Sequence, residues 1–190
     1  MLTLKHIQQR VTDAKQLQIV GTANATQKAT CIEMSQYAGV IEYHPEELVI
    51  TVKAGTRIEQ LDKTLAEHQQ ATPFAIASGG SSTIGGAYAM GNSSLRDAIL
   101  GIKIIDGQGR LLTFGGQVMK NVAGYDVSRL LVGSKGKFAI ICEISIKVIP
   151  QTYQKQLHQR TVVQNKNTSP TRAGLEQGLK NIFDPNGIFI

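Results

Sequence analysis

The chain has 190 residues, 42% apolar and 18% charged, the composition of an ordinary folded protein with material for one good core or two small ones. Its formal charge of +6 is spread along the chain with no basic helix or stripe, and tryptophan is absent, so nucleic acid is not an expected partner; a dinucleotide's pyrophosphate or an acidic protein surface suits the balance equally well. No apolar run approaches the roughly 20 residues that span a bilayer and the N-terminus lacks an apolar signal core, so the expectation is a cytoplasmic chain with no transmembrane segment.

Leu4, Ile7 and Val11 fall near helical spacing and lead into a short apolar run, Leu17 to Val20, which reads as a strand. Residues 21 to 28, GTANATQK, are small and polar, a loop by composition. Three short strands follow at 31–34, 40–43 and 48–52, separated by Gly39 and by His44-Pro45, where Pro45 fixes its own φ and extends its neighbour. Thr56 is placed to cap a helix whose apolar face is Ile58, Leu61 and Leu65, with Glu59 completing a capping box.

Residues 78 to 91, SGGSSTIGGAYAMG, form a second loop rich in glycine, and Ser82-Thr83 can open a short helix there with free amides suited to an anionic oxygen. Leu100 to Ile105 and Arg110 to Phe114 read as a hairpin across Asp106-Gly107-Gln108-Gly109. A polar turn holding Lys120, Asn121, Gly124, Tyr125 and Asp126 then runs into a short helix and the turn Gly133-Ser134-Lys135-Gly136. The strand from Ile140 to Val148 alternates, with Glu143, Ser145 and Lys147 on one face and Cys142, Ile144, Ile146 and Val148 on the other. Gln, Lys, Asn and Thr dominate residues 151 to 170, an expected exposed linker, before a helix over 171–184 and a terminal turn.

The run GGQVMKNVAGYDVSRLLVGSKGKFAIICEISIKVIP, together with VIEYHPEELVITVKAGTRIEQLDKTLAEH, SGGSSTIGGAYAMG and LEQGLKNIFDPNGIF in that order, resembles the FAD-binding subunits of bacterial glycolate oxidase and their vanillyl-alcohol-oxidase-type relatives. The resemblance implies an α+β, two-lobed FAD-binding domain over residues 1–150, with a small N-terminal βα lobe (about 1–55) and a larger mixed sheet with helices (about 56–150). A linker at 151–170 and a C-terminal helix and turn at 171–190 would complete it. It also implies non-covalent FAD held mainly by backbone. The pyrophosphate falls to Gly21, Thr22, Ala23, Asn24 and Ala25; further contacts come from Ser78, Gly79, Gly80, Thr83, Gly85, Gly86 and Gly91, and a third set from Gly133, Ser134, Gly136 and the strand amide near Ile140. Each of these glycines, taken singly, also suits a turn that needs positive φ and no ligand.

Against the family pattern, the first loop carries one glycine where several are usual, the step from Gly91 to Arg96 is short, and only about 35 residues stand where a substrate-binding cap is expected. The resemblance implies a flavin-dependent oxidoreductase subunit acting on glycolate or a similar 2-hydroxy acid, with a larger flavin subunit and an iron–sulfur subunit as partners. Through them the chain would meet the inner face of a membrane. The alternative is a scaffold subunit that keeps the fold without FAD.

No catalytic set is legible. His6, His44, His68 and His158 lie in unrelated contexts, and Cys31 and Cys142 show no metal spacing and read as buried thiols. Lys120, Asn121, Tyr125 and Asp126 are the best polar cluster, suited either to orienting a flavin or to locking a turn.

Overall fold

The Thr3 hydroxyl accepts the His6 amide at 3.3 Å and so opens helix α1 (Leu4–Asp13), which buries Ile7 and Val11 on one face. A computed structural model describes residues 2–22, 30–74, 82–91, 93–117, 126–157 and 170–190. After α1, strand β1 (Leu17–Val20) pairs in parallel with β2 (Thr30–Glu33), Leu17 lying opposite Thr30. Strands β3 (Val40–His44) and β4 (Val49–Lys53) form an antiparallel hairpin around Pro45, and helix α2 (Ile58–Ala66) buries Ile58, Leu61 and Leu65.

The expected cap of α2 is different. Arg57 occupies the cap position with no side-chain bond, while the fully buried Thr56 hydroxyl accepts the Gly39 amide at 2.9 Å and donates to the Gly39 carbonyl at 3.2 Å. A buried backbone pair within reach outcompetes the helix amides for that hydroxyl.

The chain continues through β5 (Gln70–Ala71), α3 (Ile84–Met90), α4 (Ser93–Ala98), β6 (Ile99–Asp106), β7 (Leu111–Gly115), α5 (Val127–Leu130), β8 (Ala139–Lys147), β9 (Ile149–Pro150), α6 (Gln151–Leu157) and α7 (Pro170–Phe183). At the β6–β7 turn the Asp106 carboxylate accepts the Gln108 and Arg110 amides at 3.0 and 2.9 Å and pairs with the Arg110 guanidinium at 2.7 Å, which fixes the hairpin.

The larger sheet runs β3-β4-β8-β6-β7 with every pairing antiparallel, whereas β1 pairs in parallel with β2 and, at Leu17, with Phe189. The fold is α+β, as the sequence indicates. The sheet division, however, falls between Glu33 and Val40 rather than near residue 55, because β3 and β4 pair through to β8 from the far end of the chain.

Strand β8 is central and buried on both faces, so its alternation does not divide core from solvent. Its polar residues are satisfied inside the protein. Glu143 takes the Lys103 ammonium at 2.6 Å and the Tyr37 hydroxyl at 3.1 Å, and Ser145 shares a 2.8 Å hydrogen bond with Thr51 across the β4 ladder. Burial and the adjacent carboxylate together push the Tyr37 phenol far up.

Two expectations for the C-terminal part change. Residues 151–157, read as linker, form α6; residues 158–169 lie outside the described residues. The final residues, read as a turn, also return to the small sheet: the Leu17 amide donates to the Ile188 carbonyl at 2.7 Å and the Ile190 amide to the Leu17 carbonyl at 3.3 Å. An edge strand with open amides and carbonyls recruits them.

Candidate functional site

The seven-residue helix α3 links the glycine segments. At its start the Thr83 hydroxyl accepts the Gly86 amide at 3.1 Å. The other amides of the first turn, expected to be free for an anion, are engaged: Ile84 donates to the Thr56 carbonyl at 2.9 Å and Gly85 to the Ala54 carbonyl at 2.8 Å. The helix is thus hung on the Ala54–Thr56 turn, and its N-terminus is not an anion site. Gly85 belongs to that attachment, since a Cβ there would lie 2.9 Å from the Ala54 oxygen.

Gly21 and Gly86 have a different surrounding. A Cβ on either would meet the Thr83 hydroxyl, at 3.0 and 3.1 Å, and among the described residues otherwise nothing closer than the Thr83 methyl at 4.0 Å from Gly21. The beginning of the first loop and the first turn of α3 therefore meet at the Thr83 side chain, with Thr22 exposed beside it. Such bare backbone admits close approach of a polar ligand.

At the other end of α3, Gly91 caps the helix in the left-handed region (φ 85°) and its α-carbon faces that of Gly133, also at φ 85°; a Cβ on Gly91 would stand 3.1 Å from the Gly133 α-carbon. The Gly133 amide donates to the Tyr88 carbonyl at 3.0 Å and the Lys135 amide to the Ala89 carbonyl at 2.9 Å, which join the third segment to the helix. Gly136 (φ 77°) packs on Ile19 of β1. Ser134 is 7% exposed, and its hydroxyl is the buried side-chain polar atom left without a hydrogen-bond partner among the described residues. Leaving such a group unpaired costs about 1–3 kcal/mol, which a ligand group can recover.

Of the sequence candidates, the structure gathers Gly21, Thr83, Gly86, Gly91, Gly133, Ser134 and Gly136 around α3. Ile140 is fully buried in β8, opposite Ile105 of β6. Ala23, Asn24, Ala25, Ser78, Gly79 and Gly80 lie outside the described residues, as do Lys120, Asn121, Gly124, Tyr125 and His158. Asp126 caps α5, accepting the Arg129 amide at 3.1 Å and the Ser128 hydroxyl at 2.6 Å, so it locks a turn. The Tyr88 hydroxyl donates to the Ser128 carbonyl, tying α3 to α5 from inside the core.

The remaining titratable groups do not converge. The His44 ring bonds the Glu42 carboxylate at 2.8 Å, which raises its pKa, and the His68 ring stands edge-on to Tyr43. Cys142 is fully buried, with its thiol pushed far up by burial, and Cys31 is half-buried. Among the described residues no three His, Cys, Asp or Glu side chains could hold a metal.

Sequence reasoning missed two supports of the site, Gly55, whose bare α-carbon lies under the Met34 carbonyl, and Lys180 of α7, whose ammonium reaches the Lys137 carbonyl at 2.8 Å, and it gave the buried Thr56 a different role. The four-residue spacing of Lys180 and Asp184 was the available signal for the lysine.

Residues 14–115 match the family described as FAD binding domain. The chain belongs to that family. Its relatives include the glycolate oxidase subunit GlcE of Escherichia coli, 37% identical over 162 residues, an overlap of 78% of this chain and 46% of that protein. The glycolate oxidase subunit GlcD of Bacillus subtilis is 30% identical over 62% of this chain and 27% of its own length. The mitochondrial cytochrome D-lactate dehydrogenase of Arabidopsis thaliana is 28% identical over 70% and 25% respectively. The chain spans less than half the length of these relatives.

FAD is the cofactor of an FAD-binding domain, and the residues present fit it: the bare α-carbons of Gly21 and Gly86 beside the Thr83 hydroxyl, closely apposed glycines at 91 and 133, and an unpaired hydroxyl at Ser134. The long, flexible dinucleotide needs this kind of extended, backbone-lined surface more than it needs a deep pocket. Among the described residues no helix is long and apolar enough to cross a membrane.

Proposed function

We propose that this chain is the FAD-binding subunit of a glycolate-oxidase-like, flavin-dependent 2-hydroxy-acid oxidoreductase. It holds FAD non-covalently along Gly21 to Ala25, Ser78 to Gly91 and Gly133 to Gly136, and works with a larger flavin subunit and an iron–sulfur subunit. The complex is cytoplasmic and meets the inner face of the membrane through those partners.

The observation that carries the reading is the convergence on α3: Gly21 with Gly86 at one end of a seven-residue helix, Gly91 with Gly133 at the other, and the unpaired Ser134 hydroxyl beside the second contact. When bound, FAD supplies the two-electron acceptor. The chain's own part is to bind and orient. Gly21, Gly86 and Gly133 let main chain approach the ligand, and the Ser134 hydroxyl gives it a hydrogen bond out of contact with water.

The test is the visible spectrum of the purified protein, repeated after FAD is added and the sample desalted. A flavin spectrum that survives desalting, and is lost in a folded Gly86→Val variant whose side chain crowds the Thr83 hydroxyl, is the expected result. Folded protein that stays colourless after both treatments points to the scaffold role, which the alanines at 23 and 25 of the first loop would then explain.

A further inference from the structure

Lys180 sits in the last turn of α7, and its ammonium has three acceptors: the Lys137 carbonyl at 2.8 Å, the Phe189 carbonyl at 2.7 Å and the Asp184 carboxylate at 2.5 Å. A lysine ammonium carries three N–H donors, so each is used. The side chain is 25% exposed and Asp184 is fully buried. Asp184 also accepts the Ile188 and Phe189 amides at 2.8 and 2.9 Å.

The Lys137 carbonyl closes the turn that starts at Gly133. Within five residues that turn holds three left-handed conformations, at Gly133, Lys135 and Gly136, and Lys135 is one of the few non-glycine residues in that region. Its entrance is held by the Gly133 and Lys135 amides on the end of α3. Its exit is held from α7, where the Lys180 ammonium donates to the Lys137 carbonyl. A turn with strained conformations persists only where its surroundings over-determine it.

We infer that Lys180 is a positioning residue for the cofactor, holding the Gly133–Lys137 turn in the shape that presents Ser134 and the Gly133 backbone to FAD. The inference rests on the FAD reading above. It assigns the C-terminal segment a part in cofactor binding, although none of the proposed FAD contacts falls within that segment. Lys180→Met keeps the aliphatic stem and removes all three donors, whereas Lys180→Arg keeps a cation with donors.

The experiment measures FAD affinity of the full chain from quenching of flavin fluorescence, at a temperature where circular dichroism shows every variant folded. Leu65→Ala, which hollows the core under α2, serves as a variant destabilised elsewhere. Lys180→Met is expected to weaken FAD binding at least tenfold, Lys180→Arg to remain within about threefold of wild type, and Leu65→Ala to bind as wild type does. Amide hydrogen exchange at Lys135 and Lys137 should be at least tenfold faster in Lys180→Met, with or without FAD. If Lys180→Met does not fold, Lys180→Gln, which retains an N–H donor but no charge, is judged by the same criteria. Wild-type protein that binds no FAD overturns the cofactor reading and this role together. Wild type that binds FAD, with Lys180→Met binding equally well or Leu65→Ala losing as much affinity, overturns the Lys180 assignment alone.

Discussion

Gly55 shows at the scale of one residue how the site is supported from behind. A Cβ at this position would lie 1.8 Å from the Met34 carbonyl oxygen and 2.7 Å from that of Tyr37, both backbone atoms that cannot swing aside. The Gly55 amide also donates to the Tyr37 carbonyl at 3.0 Å, so the turn and the 34–37 segment are in direct contact. Because α3 hangs on the neighbouring Ala54 and Thr56 carbonyls, this contact sets where the helix lies. Gly55→Ala is therefore expected to cost about 3 kcal/mol or more, as a severe overpacking change, read as a lower urea midpoint at unchanged slope. A loss under 1 kcal/mol would show that the turn relaxes freely. That the missing side chain of Gly55 makes room for a segment about twenty residues earlier depends on packing between elements and has no local signature.

Among elements, α7 packs lightly along most of its described length. Residues 173–178 are all exposed, Leu175 at 64%, and the helix is anchored by its last turn through Leu179, Lys180 and Phe183. The anchor ends in Asp184, whose carboxylate gathers two amides and the Lys180 ammonium in a fully buried place. Asp184→Asn would set an amide N–H₂ against one of these donors and remove the charge from the others. The expected loss is about 3 kcal/mol, measured by thermal or urea unfolding, because buried charge-assisted bonds left unmatched are costly. A variant as stable as wild type would mean that the terminal segment contributes little to folding. The helix itself was legible from the spacing of Leu175, Leu179 and Ile182, but its docking was not: two of those three, Leu175 and Ile182, are exposed. The short α6 was missed because seven residues rich in Gln carry no apolar period for a helix to display.

For the whole molecule, a cofactor that binds the folded chain and not the unfolded one stabilises it by mass action. FAD at a hundredfold excess over its Kd adds about 2.7 kcal/mol, a rise of roughly 5–10 °C in Tm for a chain of this size. Scanning calorimetry with and without FAD reads this directly, and an unmoved Tm at saturating FAD would count against the cofactor reading. The stabilisation should be shared across the molecule, since the glycine segments tie to β1, to the α3 helix and, through Lys180, to the C-terminal turn.

The sequence alone determined the elements with strong periods and turn chemistry, such as the 58–66 helix, the Asp106–Gly109 hairpin and the Thr83 cap, because each depends on neighbours within a few residues. Its ordered motifs also determined the family. Tertiary structure decided what those elements do. It spent the α3 amides on the Ala54–Thr56 turn, moved β3 and β4 into the larger sheet, and buried the polar face of β8 under its own ion pair. It also brought the chain's last residues to Leu17 and Lys137. These outcomes follow from which distant backbone groups compete for the same donors and acceptors, and that competition is settled only once the chain has folded back on itself.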